Sequence, residues 1–261
     1  MERTHRQPGP AATPGAGTLA GTPHAAPRTA VVWAVLGQEL QRRADQKLTI
    51  LDVGGGTGGF AVPLAEAGHR VTVVDANPDA LAALTRRAVE AGVADRVRPV
   101  QGDGDALSGL VEPGGADLVL CHAVLEVVDD PATVVSAIVA ALRPGGAASV
   151  LVANRVAAVL GRAMNGHLDV ATALLANAQG SGGARDVVRR RYDVASATAL
   201  LADAGLQVEQ IHGVRVLADL IPATAAESDP QALLDLELAV AAQPPYRDVA
   251  AQLHLLARRP S

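Results

Sequence analysis

The chain has 261 residues, of which 49% are apolar but only four are aromatic, and its formal net charge is −5. The acidic balance argues against non-specific binding to nucleic acid or anionic membranes, and the few aromatic residues argue against domains that stack several bases on aromatic side chains. The single cysteine, Cys121, excludes an internal disulfide and a cysteine-rich metal site, and without a long apolar run or a leader after Met1 we expect a cytoplasmic protein with no metal centre.

Beyond a proline- and glycine-rich segment, 1–27, that we predict to be a disordered tail, the chain alternates helical and apolar strand-like segments. An amphipathic helix is predicted from Thr29 to near Gln46. Strands are predicted at 48–53, 71–74, 97–100, 118–121 and 147–152, and helices at 60–67, 78–91, about 105–111 and 131–142. Asn77 is the predicted N-cap of the helix that begins at Pro78. Five successive β-then-α units indicate parallel strands covered by helices on both faces.

The alternation stops after Asn154. Residues 155–193 contain several glycines and an arginine cluster that comprises Arg185, Arg189, Arg190 and Arg191. We interpret this stretch as a helical insertion that forms a lid over the carboxyl edge of the sheet, where ligands bind in open α/β sheets. A helix at 194–204 follows, then strands at 206–211 and 249–257 with a helix at about 230–242 between them. The last strand alternates apolar and polar residues, which predicts a less buried strand.

A glycine-rich turn links the first predicted strand to the next helix. In the segment from Leu51 to Gly59, Gly54, Gly56 and Gly59 satisfy the dinucleotide pattern G-x-G-x-x-G, and Asp75 ends the second strand, where an acid holds ribose hydroxyls. Glycine lets the backbone approach a ligand closely and adopt positive φ. The pattern by itself leaves a nicotinamide dinucleotide and S-adenosylmethionine open, as well as a tight turn without a ligand.

Two further stretches add to this loop: Gly102-Asp103-Gly104-Asp105 after the third strand, and the run from Cys121 to Glu126 after the fourth. With the turn at 142–146, they make the chain resemble the class I S-adenosylmethionine-dependent methyltransferases from about residue 28 to its end. The resemblance implies an open, doubly wound, seven-stranded α/β sheet that is mostly parallel, with an antiparallel last strand beside the fifth.

Within that family the chain resembles the bacterial enzymes that esterify the carboxylate of a modified wobble uridine in tRNA. The matching features are Arg28 with Trp33, the triple glycine, His122 to Glu126, Asn154, Asn165 with Asp169, 213–216, Pro245-Tyr246 and His254. The resemblance implies that S-adenosylmethionine is contacted by Arg28, Gly54, Gly55, Gly56, Asp75, Gly104, Asp105 and His122. Arg28 suits the methionyl carboxylate, Asp75 the ribose and Asp105 the adenine, and Asp52 is placed to meet the methionyl ammonium through water.

The candidate acceptor residues are Arg215, Asn154 and Tyr192. Arg215 follows a strand within an apolar stretch, so it either pairs with an acidic residue of the chain or holds the acceptor carboxylate. We expect Asn154 and Tyr192 to help orient the acceptor. A carboxylate is already anionic at neutral pH, so no general base is predicted, and His122 is either a cofactor contact or a core histidine.

The sequence is compatible with several functions. The first is methylation of tRNA, with the arginine cluster either contacting phosphates or forming a solvated face. The second is methylation of a small carboxylic acid or hydroxyl metabolite. A non-catalytic S-adenosylmethionine-binding protein and a nicotinamide oxidoreductase are the remaining alternatives. The sequence leaves the oligomeric state open.

Overall fold

The computed structural model describes residues 28–43, 46–177, 180–181 and 188–261, with the backbone only at 105, 108, 223 and 225. The predicted tail at 1–27 and the predicted cluster member Arg185 lie outside the described residues. The strands are β1 (Thr49–Val53), β2 (Arg70–Asp75), β3 (Val97–Gln101), β4 (Ala116–His122), β5 (Leu142–Ala153), β6 (Gln207–Val214) and β7 (Gln252–Arg258). The helices are α1 (Ala30–Gln41), α2 (Ala61–Glu66), α3 (Pro78–Glu90), α4 (Pro131–Ala141), α5 (Arg155–Met164), α6 (Leu168–Ala176), α7 (Val194–Asp203), α8 (Ala223–Ser228) and α9 (Pro230–Val240), with 3₁₀ turns at Gly104–Gly109 and Arg247–Val249.

The seven strands form one open sheet in the order β3-β2-β1-β4-β5-β7-β6. Strands β1 to β5 pair in parallel, and β7 runs antiparallel to both β5 and β6. The prediction of a mostly parallel sheet with an antiparallel last strand beside the fifth is therefore confirmed. Strand order reverses between β1 and β4, and this is the point at which open α/β sheets bind ligands.

Helices cover both faces of the sheet because its central strands β1, β4 and β5 are buried on both sides. Ile50 belongs to the core beneath α1, α2 and α3, whereas the adjacent Leu51 belongs to the core beneath α4 and α7. Side chains alternate between the two faces of a strand, so each strand contributes to both cores. The core is almost wholly aliphatic, as the composition indicates.

Helix starts follow the sequence signals. The Asn77 side chain accepts from the Asp79 backbone N–H at 2.9 Å, with Pro78 in the first helical position of α3, so the predicted cap is confirmed. Asp130 caps α4 in the same way, accepting from the Ala132 N–H at 3.0 Å. Both helices begin just after loops at the carboxyl edge of the sheet.

Some predicted boundaries and one predicted environment are wrong. Helix α1 ends at Gln41 rather than near Gln46, and the helix predicted at about 105–111 is a 3₁₀ turn. The predicted turn at 142–146 is the irregular beginning of β5. The last strand is fully interior, since β7 lies between β5 and β6 and its residues 253–257 are all buried. The apparent polar alternation came from His254, whose polarity is met by a hydrogen bond inside the core.

The segment at 155–193 contains the two helices α5 and α6 and follows directly from the carboxyl end of β5. It is tied to the sheet by a parallel bridge between Asn154 and Tyr192. Among the described residues, no helix combines the length and apolar character needed to cross a membrane.

Candidate active site

The glycine-rich loop between β1 and α2 is built for close backbone approach. Gly54 and Gly56 have φ values of 69° and 55°, which disfavour any residue with a Cβ. A Cβ on Gly54 would overlap the Val124 side chain, and a Cβ on Gly55 would overlap the Asp52 carboxylate. The first three glycines of the loop are therefore required by conformation or by packing, and they leave the loop surface bare for a ligand.

Asp52 lies directly beneath this loop with its carboxylate almost enclosed. The residue is 2% exposed, and its Oδ2 has no hydrogen-bond partner among the described residues. Burial, reinforced by the negative charge of Asp75, raises the pKa of Asp52 to about 7. An unpartnered buried carboxylate under a loop of bare backbone is the environment that an ammonium group would complete, which fits the methionyl end of S-adenosylmethionine.

Asp75 connects the end of β2 to the same loop. Its Oδ2 accepts from the Gly56 N–H at 2.8 Å, and its Oδ1 accepts from the Asn77 N–H at 2.9 Å. A carboxylate oxygen accepts more than one hydrogen bond, so Asp75 keeps capacity for ribose hydroxyls. Gly104 opens the 3₁₀ turn that follows β3, near Val53 and Val134. The Asp105 side chain lies outside the described part of the structure.

A row of aromatic rings joins helix α1 to the cofactor loop. Trp33 stacks on Phe60 with ring centroids 4.9 Å apart, and Phe60 meets His122 edge-on at 4.7 Å. Phe60 immediately precedes α2, and His122 ends β4. This packing places the first turn of α1 against Phe60, which directly follows the glycine-rich loop, and Arg28 is exposed two residues before that helix. Burial lowers the pKa of His122 to about 4, so its ring is neutral at physiological pH.

Asn154 is part of the framework of the acceptor side. Its amide donates to the Asp248 and Ala250 carbonyls at 2.9 and 2.8 Å, and its Oδ1 accepts from the Val156 N–H at 3.0 Å. The side chain thus caps α5 and fixes the segment before β7. All of its main hydrogen-bonding groups are already used, so the structure leaves it little capacity to contact a substrate.

Tyr192 is likewise buried, and its hydroxyl donates to the Leu125 carbonyl at 3.0 Å. Its backbone N–H donates to the Ala153 carbonyl at 2.9 Å, and its carbonyl accepts from the Arg155 N–H at 2.8 Å. Burial raises the pKa of Tyr192 to about 12. Tyr192 therefore holds the end of the insertion against the loops that follow β4 and β5.

Arg215 follows the carboxyl end of β6 in a conformation that is unusual for arginine, with φ at 58°. Its Nη2 lies 2.8 Å from Asp219 Oδ2, which confirms that it pairs with an acidic residue of the chain. The pairing is incomplete, because its Nε is buried with no partner among the described residues. The side chain as a whole is 27% exposed, so it is partly accessible to solvent.

The backbones of Arg215 and Asn154 are connected through hydrogen bonds to Ala251. The Asn154 N–H donates to the Ala251 carbonyl at 3.1 Å, and the Ala251 N–H donates to the Arg215 carbonyl at 3.2 Å. With the Asn154–Tyr192 bridge, the three residues that the sequence grouped as acceptor candidates are joined by a continuous set of backbone hydrogen bonds. Their side chains differ, since Asn154 and Tyr192 are buried and uncharged, whereas Arg215 is charged and partly exposed.

Glu237 and Glu126 are two of the buried acids that the sequence analysis did not single out. Glu237 in α9 is 0% exposed and accepts from the backbone N–H groups of residues 216, 217 and 218 at 2.9, 2.8 and 2.7 Å. Glu126, after β4, is 4% exposed with Oε2 unpartnered, and burial raises its pKa to about 7. The signal was available in each case, because both acids occur in apolar runs where burial is expected.

Two arginines of the cluster, Arg189 and Arg190, contact the loop after β4, whereas Arg191 donates to the Gly180 carbonyl at 2.9 Å. The backbone N–H groups of Arg189 and Arg190 donate to the Glu126 carbonyl at 2.9 and 3.1 Å. The Arg190 guanidinium donates to the Val128 carbonyl and, at 2.6 Å, to the Asp129 carbonyl, while Arg189 forms an ion pair with Asp129. Arg189 nevertheless remains 57% exposed, so its charge faces solvent at this edge.

No group of three or more histidine, cysteine, aspartate or glutamate side chains with metal-binding geometry occurs in the ranges that the structure describes. The Cys121 thiol is buried in the core, and burial raises its pKa. It is therefore an inert core residue.

A family model described as a methyltransferase domain matches residues 50–146. The tRNA 5-carboxymethoxyuridine methyltransferase of Escherichia coli strain K12 is 33% identical over 242 residues, which cover 92% of this chain and 91% of that protein. The ubiquinone biosynthesis O-methyltransferase of Xanthomonas euvesicatoria is 32% identical over 165 residues, covering 63% of this chain and 65% of that protein.

Among solved structures, the cyclase SpnF superimposes with a TM-score of 0.60 at 17% identity, over 92% of this chain and 86% of that chain. Because that protein is a cyclase, the shared fold alone does not decide the chemistry. The sequence relationship to the Escherichia coli enzyme is much closer and extends over nearly the whole of both chains. The protein therefore belongs to the S-adenosylmethionine-dependent methyltransferase family.

Proposed function

We propose that this methyltransferase esterifies the carboxylate of a modified wobble uridine in tRNA. When bound, S-adenosylmethionine supplies a methyl group on a positively charged sulfonium. A carboxylate acceptor is already ionised at neutral pH, so the protein needs no base to activate it. The work of the protein is to orient the acceptor, and orientation alone contributes up to roughly 7–11 kcal/mol in favourable cases.

For the cofactor, the proposed contacts follow the site described above. Asp52 meets the methionyl ammonium through water and Arg28 contacts the methionyl carboxylate, while Asp75 holds the ribose. The remaining proposed contacts are Gly54, Gly55, Gly56, Gly104, Asp105 and His122. The unpartnered carboxylate of Asp52 and the bare loop above it support this arrangement.

The observation that carries the acceptor assignment is the incomplete pairing of Arg215. A buried guanidinium nitrogen without a partner is unfavourable unless an anion completes it, and arginine binds carboxylates through paired N–H groups. Asp219 engages one nitrogen of the guanidinium and leaves the rest of it for a second carboxylate. In this proposal Arg215 clamps the acceptor, and Glu237 fixes the loop that carries it.

Asn154 and Tyr192 assist the acceptor indirectly. Each uses its polar atoms on backbone groups, so they shape the pocket by holding the loops after β4, β5 and β6 in place. The insertion at 155–193 is the proposed lid. Its exposed Arg189 supports contact with RNA phosphates in a protein whose net charge is otherwise acidic. An enzyme that modifies tRNA would act in the cytoplasm.

Methyl transfer from labelled S-adenosylmethionine to bulk tRNA tests the proposal directly. We expect label in tRNA from a strain that lacks the protein, and complete loss of that label after RNase treatment. Mass spectrometry of nucleosides from the same strain should show a missing methyl ester at the wobble uridine. Normal levels of that ester would overturn the proposal.

A second candidate is methylation of a small carboxylic acid or hydroxyl metabolite. The similarity to the ubiquinone biosynthesis O-methyltransferase supports it, although that similarity covers less of the chain. A hydroxyl acceptor requires a base, and the buried Glu126 carboxyl, with its pKa near 7, is suited to that role. RNase-resistant incorporation into a small-molecule fraction would favour this candidate.

A further inference from the structure

The turn that follows β4, at residues 123–129, packs on the glycine-rich loop. A Cβ added to Gly54 would lie 2.4 Å from Val124 Cγ2, so the Val124 side chain lies directly on the backbone of that loop. The Val124 carbonyl accepts from the Val127 and Val128 N–H groups at 3.0 and 3.3 Å, which closes the turn. The position of Val124 against Gly54 therefore depends on the shape of this turn.

The turn begins in a strained backbone conformation. Ala123 has φ at 59°, in the left-handed region that residues with a Cβ rarely adopt. Its N–H donates to the Leu151 carbonyl at 2.9 Å, so the residue is bonded to β5 as the chain leaves β4. Such a conformation persists only where the surrounding structure enforces it, and enforced strain is common near ligand sites. Other parts of the fold must therefore hold this turn in place.

The end of the insertion holds the turn through its carbonyl oxygens. The backbone N–H groups of Arg189 and Arg190 donate to the Glu126 carbonyl at 2.9 and 3.1 Å. The Arg190 guanidinium donates from Nη1 to the Val128 carbonyl and from Nη2, at 2.6 Å, to the Asp129 carbonyl. Because a guanidinium is planar and presents several N–H groups in a fixed geometry, one side chain can fix two successive peptide carbonyls. Arg190 thus holds the last part of the turn, just before α4.

Arg190 differs from its neighbour in exposure and in partners. The Arg189 side chain is 57% exposed and pairs with Asp129. Arg190 is half-buried, and its guanidinium is bonded to two neutral peptide carbonyls. A solvent-facing arginine is suited to RNA phosphates, whereas a guanidinium held against two carbonyls fixes the shape of the backbone. The two neighbouring arginines are therefore suited to different roles.

We propose that Arg190 is a positioning residue for S-adenosylmethionine: it holds the strained turn after β4 so that Val124 stays packed on the glycine-rich loop. The insertion is thereby coupled to the cofactor site. The proposal rests on the cofactor contacts proposed above and is independent of the acceptor. Because coupling between two sites is reciprocal, cofactor binding should in turn stabilise the contacts that Arg190 makes.

Hydrogen exchange on the wild-type protein tests this coupling without any substitution. The Arg189 and Arg190 amides donate to the Glu126 carbonyl, so their exchange reports whether the insertion is held to the turn. We expect saturating S-adenosylhomocysteine to slow the exchange of both amides. Exchange that is unchanged at both amides would overturn the proposal.

Two substitutions separate the paired hydrogen bonds of Arg190 from its charge. Arg190→Ala and Arg190→Lys both remove the paired contact, since lysine cannot reproduce the planar geometry. We expect each variant to raise the Kd for S-adenosylhomocysteine about tenfold in calorimetry. Arg162→Ala is the matched control, because Arg162 is an exposed arginine of the same insertion, on α5, and its loss should leave this Kd unchanged. A wild-type Kd in either Arg190 variant would overturn the proposal.

A phosphate contact at Arg190 would give the opposite pattern. It would leave the Kd for S-adenosylhomocysteine unchanged in both variants. Binding of tRNA would weaken in Arg190→Ala and would depend less on salt, whereas Arg190→Lys would keep most of the binding because lysine keeps the charge. That pattern would also overturn the proposal.

Ala123→Gly distinguishes positioning from a general loss of structure. Glycine adopts a positive φ without strain, so the turn then depends less on Arg190. We expect Ala123→Gly to restore part of the cofactor affinity that Arg190→Ala loses, and to change the Kd little in the wild-type background. A double variant that binds no better than Arg190→Ala would contradict the proposal. Failure to methylate tRNA would count against the proposed function and would leave this assignment standing.

Discussion

The Asp52 carboxylate occupies the space that a side chain at Gly55 would need. A Cβ on Gly55 would overlap Asp52 Oδ2 and would lie 2.9 Å from Val73 Cγ1. The glycine at this position is therefore explained by the acid beneath it as much as by the ligand above it. The loop and the buried carboxylate pack against each other, so a substitution in either one should displace the other.

Gly55→Ala should displace Asp52 and weaken cofactor binding. We expect the Kd for S-adenosylhomocysteine to rise at least about tenfold, equivalent to about 1.4 kcal/mol, measured by calorimetry. Gly59→Ala is the matched control, because a Cβ there meets nothing within 4 Å. Equal affinities for the two variants would contradict the packing argument.

Asp52→Asn tests two properties of the buried carboxyl: its effect on the pH dependence of stability and its contribution to cofactor binding. The pKa of the Asp52 carboxyl is 3.8 in the unfolded chain and about 7 in the folded protein. Between these pH values the folded state binds more protons than the unfolded state, so the free energy of unfolding falls as pH rises, by at most about 1.4 kcal/mol per pH unit. The variant lacks this titration. In urea unfolding, we expect the difference in unfolding free energy between the variant and the wild type to shift in favour of the variant from pH 5 to pH 8. We also expect the variant to bind the cofactor more weakly. A wild-type pH profile of stability in the variant would rule out the assignment.

Arg215→Ala removes the proposed carboxylate clamp and leaves the backbone requirement unchanged, because alanine, like arginine, is disfavoured at a positive φ. We expect kcat/KM for the acceptor to fall by about 10²-fold, the loss of roughly 2.7 kcal/mol, while the cofactor Kd stays unchanged. Arg98→Ala, an exposed arginine on β3, provides the control. Wild-type turnover by Arg215→Ala at sub-saturating acceptor would refute the clamp.

Glu237→Gln tests how the Arg215 loop is held. The carboxylate accepts three backbone N–H groups, and an amide has only one oxygen to replace its two. We expect a loss of about 1–3 kcal/mol in urea unfolding, with a higher KM for the acceptor. The exposed Glu227→Gln should change neither quantity. A KM that stays at the wild-type value would show that Glu237 does not contribute to acceptor binding.

The relation between sequence and structure differs along the chain. Strands β1 to β4 and helices α3 and α4 followed from apolar runs, caps and glycines, because these signals are local. The burial of β7 could not be read locally, since His254 interrupts its apolar pattern and its partner Ser149 is 105 residues away. The two buried acids, Glu126 and Glu237, depend on the same kind of distant packing.

The sequence by itself determined the class of fold, the glycine-rich loop and the two acids beside it, Asp52 within β1 and Asp75 at the end of β2. Those features depend on residue type and on short spacings, which act through backbone conformation and alternating burial. Only the tertiary structure decided the state of the individual groups. It showed Asn154 and Tyr192 committed to backbone hydrogen bonds, Arg215 partly paired with Asp219, and His122 and His254 each hydrogen-bonded to Ser149. Hydrogen bonding and desolvation depend on which distant residues the fold brings into contact.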